Sequence, residues 1–404
     1  MQLAQKPWIG YLSSGGRATL DLGHGQSRVA LLGESSSVLT AVCAVAAKEA
    51  GSPLLIMDLS GSVAARYSGH FDAYDYRSFL YDAFRLAEPG PWHAQLVAGA
   101  YAAVLDLSSE EEAILGSALQ QVASQGDLAS PVSLYDLMGK VEGFRGFYID
   151  RLKGRIGSLK LFDAVDDRSV DRLLGGCSVV DFHMAPYPQA AELASALLIA
   201  KVVALQRSEG TEVTLALTEA HRLFKLAPRL PSSGRLLVEL LSSRLPALFA
   251  TDQPQATSRH LLEACHQRVH SGTSWHSQRD PRTPILAGSM VLEDLRTGID
   301  TVFFPRRIDS KTSDYASARP ARLGSPALTS MILEEVSRYP LSTGESIVQF
   351  LSAEFLPADV RAEIDSLHSR ECLVMEPKDS GAGPKVFAFT ATEKGLALLR
   401  ELKG

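Results

Sequence analysis

Three short stretches of the chain carry residue types whose spacing suits phosphate chemistry. Gly33-Glu-Ser-Ser-Ser-Val-Leu-Thr40 stands between an apolar run, Arg28-Val-Ala-Leu-Leu32, and a helix-forming run, Val38–Ala50. At such a turn, backbone N–H groups and hydroxyls meet a helix N-terminus, whose dipole favours an anion. Gly33 and Thr40 fall in register with the first glycine and the last hydroxyl of the phosphate loop G-x-x-x-x-G-K-[ST]. Val38 takes the place of the second glycine, and Leu39 that of the lysine that pairs with the β- and γ-phosphates. Gly33, Ser35, Ser36, Ser37 and Thr40 are therefore candidates for a vestigial nucleotide site, with Glu34 opposing an anion. The alternative is a serine turn that caps a helix.

The second stretch, Val213-Thr-Leu-Ala-Leu-Thr-Glu-Ala-His221, is an apolar strand that ends in T-E-A-H, where a nucleotide hydrolase would have D-E-A-H. Thr218 takes the acidic slot that would hold the Mg²⁺ shell, and Glu219 keeps the position of a general base toward water, idle unless nucleotide binds. The third, Phe249-Ala-Thr-Asp-Gln-Pro254, puts Thr251 and Gln253 where a polar sensor approaches a γ-phosphate; its alternative is a turn made by Asp252 and Pro254. Loss of the lysine, the glycine and the aspartate together removes the main devices of charge neutralisation, so no cofactor is expected, with ATP and Mg²⁺ bound only if the degenerate pocket survives. His260, Cys265, His266, His270 and His276 form a metal-like cluster, but their spacing fits no closed motif and no metal is expected.

The elements that position these residues read as α/β. Residues 9–23 suggest a hairpin ahead of the main domain; Arg28–Leu32, Val38–Ala50 and Pro53–Asp58 read as a βαβ unit with a parallel pair of strands. From Ser60 to about Gly175 the pattern is helical, over Ser78–Leu86, Ala94–Leu105, Glu110–Ala123 and Tyr135–Leu161, without a further strong strand signal. Strands resume at Ser178–Phe182, Val213–Leu217 and Leu245–Ala250, giving a mainly parallel sheet covered by helices. Pro-rich charged stretches then precede three helices, a β-hairpin around Lys378–Lys385 and a last helix, the order of a winged-helix domain.

Composition sets limits. Of 404 residues 46% are hydrophobic and 21% charged, which excludes disorder as the main state, and the net charge of −6 means that any nucleic-acid contact must come from a local patch or an assembled ring. The four cysteines lie far apart, which predicts a reducing, cytoplasmic setting and no disulfide framework. The N-terminus lacks a signal-peptide core, and the apolar runs Val38–Ala47 and Leu96–Leu105 are too short to span a bilayer, so no membrane association is expected.

In this order and spacing, the pieces resemble the HerA and FtsK superfamily of hexameric DNA-pumping ATPases, specifically the HerA-like branch, over most of the chain. Arg28–Gly61 resembles the P-loop unit, Cys177–Arg207 its next strand and long helix, Thr211–Phe224 the Walker B strand, Ala250–Gly272 the sensor segment, and 286–304 the late hairpin. The resemblance implies a RecA-like P-loop NTPase fold at 1–59 and 176–310, to which the residue pattern adds a helical insertion at 60–175, a linker at 311–326 and a winged-helix-like domain at 327–404. It further implies six subunits around a DNA channel and an arginine acting in trans, for which Arg268, Arg259, Arg306 and Arg307 compete. The degenerate motifs predict a catalytically inactive member, a DNA-associated structural or adaptor component in replication, repair, segregation or transfer. Its DNA contact would run through an oligomer channel or the basic segment 279–322, and its self-association would be hexameric or with an active paralogue. An active translocase with a non-standard P-loop and a winged-helix DNA-binding regulator are the alternatives. The last domain carries a net negative charge, and Asp359, Glu363 and Asp365 on its recognition helix would repel phosphate, which favours a protein partner there.

Overall fold

The computed structural model describes residues 6–12, 16–22, 26–33, 36–85, 90–124, 130–162, 168–183, 185, 187–225, 234–271, 289–311, 326–340, 342–351, 357–378 and 386–403. The chain divides into two compact units, Met1–Ala316 and Ser317–Gly404.

In the first unit the order is β1 (Trp8–Leu12), β2 (Arg17–Thr19), β3 (Arg28–Leu32), α1 (Ser36–Glu49), β4 (Leu54–Asp58), α2 (Ser62–Tyr67), β5 (Asp72–Asp75) and α3 (Leu80–Phe84). A helical run follows: α4 (Gly90–Leu105), α5 (Ser109–Ala123), α6 (Pro131–Met138), α7 (Gly146–Ser158) and α8 (Asp171–Leu174). Then come β6 (Cys177–Asp181), α9 (Pro188–Glu209), β7 (Thr214–Leu217), α10 (Ala220–Leu223), α11 (Arg235–Ser242), β8 (Ala247–Thr251), α12 (Arg259–Ala264), β9 (Gln267–Ser271), β10 (Met290–Asp294) and β11 (Ile299–Pro305).

These strands form one sheet in the order β2-β1-β11-β10-β9-β3-β8-β7-β4-β6-β5. From β9 to β5 every pairing is parallel, and from β9 outward to β2 every pairing is antiparallel. The parallel strands β3, β4, β7 and β8 are buried along their whole length, as short unbroken apolar runs require when helices cover both faces. On one face α1 packs with Val29, Leu31, Leu54, Ile56 and Ala250; on the other, α9 and α4 pack with Ala30, Leu32, Leu55, Met57 and Phe249. The fold is mixed α/β, with a large, mostly parallel central sheet and the strand–turn–helix unit β3–α1 near its middle.

Four features depart from the sequence reading. β3 and β4 are parallel but not paired, since β8 and β7 lie between them. β5 forms within the supposedly all-helical stretch: Asp72-Ala-Tyr-Asp75 has no strand pattern and is half exposed, and parallel pairing with β6 imposes the strand. The expected helix over Tyr135–Leu161 breaks into α6 and α7 around Gly139 and Gly143, the latter at φ 87°. The first hairpin joins the main sheet, through pairing of β1 with β11. In addition, the 22-residue α9 is long and apolar enough to cross a bilayer, but it lies buried in the core of the sheet unit.

The second unit runs α13 (Pro326–Arg338), β12 (Ser342–Thr343), α14 (Gly344–Leu351), α15 (Pro357–Ser369), β13 (Leu373–Lys378), β14 (Val386–Ala391) and α16 (Glu393–Lys403). Its antiparallel sheet has the order β12-β14-β13 and shares a core of Leu328, Ile332, Ile347, Val360 and Leu373.

Candidate functional site

The candidate residues gather where the parallel strands end, at the edge of the sheet where open α/β folds place their ligands. Gly33 closes β3. At φ 108° it adopts a backbone conformation that side-chain-bearing residues avoid, and its N–H donates to the Thr251 carbonyl at 2.9 Å, tying the ends of β3 and β8 together. The Gly33 carbonyl accepts from the Ser36 N–H at 3.0 Å, so the turn closes on itself as α1 begins. Ser36 is buried and Ser37 half-buried, while Glu34 and Ser35 lie outside the described residues.

Two side chains of this turn point into the protein. Thr40 is fully buried, and its hydroxyl donates to the Ser36 carbonyl at 2.8 Å, the i−4 bond that a mid-helix threonine makes. Leu39, at the lysine position, is 1% exposed and belongs to the apolar cluster of Val29, Leu31, Val42 and Leu54. Val38, at the position of the second glycine, is the exposed member.

The turn after β7 is closed by polar contacts instead. Thr218 is buried; its Oγ1 donates to Asp58 Oδ1 at 3.1 Å and accepts from the Ser60 N–H at 3.2 Å. Asp58 ends β4, and its Oδ2 accepts from the Ala64 N–H at 2.8 Å in the first turn of α2. A carboxylate thus does stand at this end of the sheet, delivered by the neighbouring strand and bound to a helix N-terminus. Glu219 sits in the left-handed region, at φ 50° and ψ 45°, and its Oε2 accepts from Arg222 Nη1 at 2.8 Å. The Arg222 guanidinium, itself buried, also donates to Glu192 Oε1 at 3.2 Å and to the carbonyls of Leu59 and Pro188 at 3.4 and 3.3 Å. This guanidinium engages Oε2 of Glu219.

Between the two turns lies Thr251, at the end of β8. Its Oγ1 accepts from the Gln253 N–H at 3.0 Å and from Thr257 Oγ1 at 3.3 Å, and lies 3.1 Å from His221 Nδ1. Burial pushes the His221 imidazole below its ordinary pKa, against the pull of Asp252 and Glu219. Gln253 is exposed, and its carbonyl accepts from Thr257 Oγ1 at 3.0 Å. The structure therefore brings Gly33, Thr251, Gln253 and His221 together and engages Thr40, Thr218 and Glu219 in internal contacts. Asp58, Arg222 and Glu192 were not singled out from sequence. Arg222 follows Glu219 by three residues on a helix, a spacing that favours such a pair, and Asp58 terminates an apolar strand; both signals are in the sequence.

Of the competing arginines, Arg268 donates to the Leu262 carbonyl at 2.9 Å and lies 3.9 Å from Glu293; Arg306 donates to Glu49 at 2.8 Å. Arg259 and Arg307 are exposed. The histidine cluster does not converge: His260 is exposed, the buried Cys265 thiol is pushed up to about 12, His266 Nδ1 accepts from the Arg28 N–H at 3.1 Å, and His270 Nε2 lies 3.2 Å from Glu293. Among the described residues no three His, Cys, Asp or Glu side chains group to hold a metal, and His276 lies outside them. Within the basic segment 279–322, Arg296 pairs with Asp21 at 3.2 Å, whereas Arg279, Arg282, Arg319 and Arg322 lie outside the described residues.

In the second unit Glu363 does not face solvent, as its place on a recognition helix suggested. It is 3% exposed and accepts from Thr329 Oγ1 at 2.6 Å, so of the supposed phosphate-repelling acids it is Asp365 that is exposed; the side chain of Asp359 lies outside the described residues. Most of the supposed wing, 379–385, also lies outside them.

No protein-family model matches the chain, and no curated protein matches it. Among solved structures, the genome packaging NTPase B204 of Sulfolobus turreted icosahedral virus 2 is similar in three forms. In complex with AMPPCP it is 10% identical, with a TM-score of 0.33, over 69% of this chain and 98% of that one. In complex with ATP-gammaS the values are 10%, 0.32, 69% and 97%, and in complex with sulfate 12%, 0.25, 34% and 72%. At these TM-scores the likeness assigns neither a family nor an activity to the chain.

Proposed function

We propose that the chain is a HerA/FtsK-like protein without ATP turnover, acting as a DNA-associated structural or adaptor component in replication, repair, segregation or transfer. The observation that carries the reading is the inward commitment of the turn after β3. Leu39 is packed in the apolar cluster and the Thr40 hydroxyl is bound to the Ser36 carbonyl, so the lysine charge is missing and the metal-binding hydroxyl is engaged. Phosphoryl transfer depends on positioning and electrostatic stabilisation, and both are reduced here. The ion pair between Glu219 and Arg222 supports the same reading from the other side of the site.

The order α13, β12, α14, α15, β13, β14, α16 supports a winged-helix reading of the second unit. A protein partner for that unit, self-association of the chain as a ring or with an active paralogue, and a cytoplasmic setting complete the proposal. The test is phosphate release from Mg·ATP by the full chain, with and without duplex DNA. No release above a protein-free blank is expected, and release that disappears in Glu219→Gln would overturn the reading.

A further inference from the structure

The outer strands β2, β1 and β11 carry an aromatic and cationic surface that the strand-end site does not use. On β11, Phe303 is fully buried in the core with Ile9 while its neighbour Phe304 is 36% exposed, the alternation of a sheet with one covered face. Tyr11, 53% exposed, is the register partner of both Phe304 on β11 and Arg17 on β2, so the three stand side by side across the strands. A register shift between Trp8 and Gly10 re-aims the start of β1, and the Trp8 ring meets Tyr11 edge-on at 5.0 Å. The guanidinium groups of Arg17 and Arg306 lie 5.1 and 4.9 Å from the Trp8 ring centre. Gly10 permits this packing: a Cβ there would stand 2.2 Å from the Phe304 carbonyl oxygen.

The charge is as uneven as the shape. Residues 6–20 and 303–308, the stretches around the rings, contain Lys6, Arg17, Arg306 and Arg307, and the acids nearest in sequence, Asp21, Asp300 at the far end of β11 and Asp309, lie beyond them. Arg306 is matched by Glu49, whereas Lys6, Arg17 and Arg307 are exposed and enter no ion pair among the described residues. Exposed rings beside unpaired cations are the two parts of a single-strand binding surface: bases stack on the rings, and phosphates meet the cations. Paired bases in a duplex keep their faces stacked on each other and leave the rings unused.

The geometry points to a binding surface for single-stranded nucleic acid on β2, β1 and β11, with unpaired bases stacked on Tyr11 and Phe304 and the backbone held by Arg17 and Lys6. The inference rests on the DNA-associated reading of the chain and specifies both the form of the nucleic acid and its place.

The experiment titrates fluorescein-labelled oligo(dT), and separately a labelled duplex, with the full chain, following anisotropy at several salt concentrations. Oligo(dT) is expected to bind more tightly than duplex. Tyr11→Leu with Phe304→Leu should weaken binding roughly 10-fold or more, since each stacked base contributes about 5- to 150-fold. Arg17→Ala should make the salt dependence shallower by about 0.7 in logarithmic slope. A second readout does not depend on those variants folding: with Trp92→Phe and Trp275→Phe, Trp8 is the one tryptophan left of three, and oligo(dT) should quench it. Oligo(dT) binding with unchanged Trp8 emission, or a Tyr11/Phe304 variant with the affinity of the parent, would overturn the surface while leaving the DNA-associated reading intact. Equal or tighter binding of duplex would overturn the single-strand assignment. No binding of either nucleic acid would overturn the surface and the DNA-associated reading together.

Discussion

The turns after β3 and after β7 end parallel strands of one sheet, and each departs from nucleotide chemistry by a different physical route. After β3 the departure is apolar: Leu39 has joined the core, and the nearby hydroxyl of Thr40 is bound within its own helix. After β7 it is polar: Thr218 binds Asp58 and the Ser60 N–H, and Glu219 binds a buried guanidinium that also holds Glu192. An apolar replacement removes a charge and adds packing, whereas an internal ion pair keeps a carboxylate at the strand end and engages it. The first change is hard to reverse by one substitution, because the core has closed around it; the second could be reversed by any event that separates Arg222 from Glu219.

Breaking either turn should give a large effect. Arg222→Ala removes a buried guanidinium shared by Glu192 and Glu219 and leaves the buried Glu192 carboxylate with the more exposed Lys225, 3.4 Å away, as its cationic partner, with an expected loss of about 3 kcal/mol in urea unfolding. A loss below about 1 kcal/mol would mean that the network adds little, and the contrast between the turns would weaken. Leu39→Lys tests the apolar turn: it removes a fully buried leucine and introduces an ammonium group, so the loss should reach at least the ~2–5 kcal/mol of a leucine truncation. A variant as stable as the parent would mean that the lysine escapes toward the turn, and that the pocket is open after all.

A smaller effect is expected where one hydroxyl is removed. Thr218→Val keeps the shape but leaves Asp58 and the Ser60 N–H each without one contact, for an expected loss of about 1–3 kcal/mol by thermal and urea unfolding. The smallest effect concerns pH. His221 is held below its ordinary pKa in the folded chain, so on acidification the unfolded chain takes up its proton first. Its contribution to stability is present above the ordinary histidine range and falls as pH drops through that range. Replacement by Phe should therefore flatten the stability profile between about pH 7 and pH 5, and a profile as steep as the parent's would place the acid sensitivity elsewhere.

What the sequence made legible follows from which signals are local. The buried parallel strands could be read because runs such as Arg28–Leu32 and Pro53–Asp58 are unbroken apolar segments bounded by turn residues. Strand order could not be read: nothing in either run says that β8 and β7 come between them, since pairing is settled by the whole sheet. β5 was invisible for a related reason, because Asp72-Ala-Tyr-Asp75 is a strand only by virtue of its neighbour β6. At the site, the missing lysine and aspartate were plain from residue types, whereas the engagement of Thr40, Thr218 and Glu219 depends on where hydroxyls and carboxylates point. Glu363 makes the same point in the second unit, where an acidic residue on an apparently exposed helix is buried against Thr329. Charge type is written in the sequence; the partner that matches it is set by tertiary structure.

The most direct test of the central claim is calorimetric titration of Mg·ATP into the full chain, beside a variant that carries Val38→Gly, Leu39→Lys and Thr218→Asp. The account predicts no binding heat for the parent at concentrations where a working phosphate loop saturates, and a response from the variant only if the turn after β3 can reopen. Micromolar binding of Mg·ATP by the parent would contradict it, because the charge that Leu39 lacks would then have to be supplied by another residue of the same turn region.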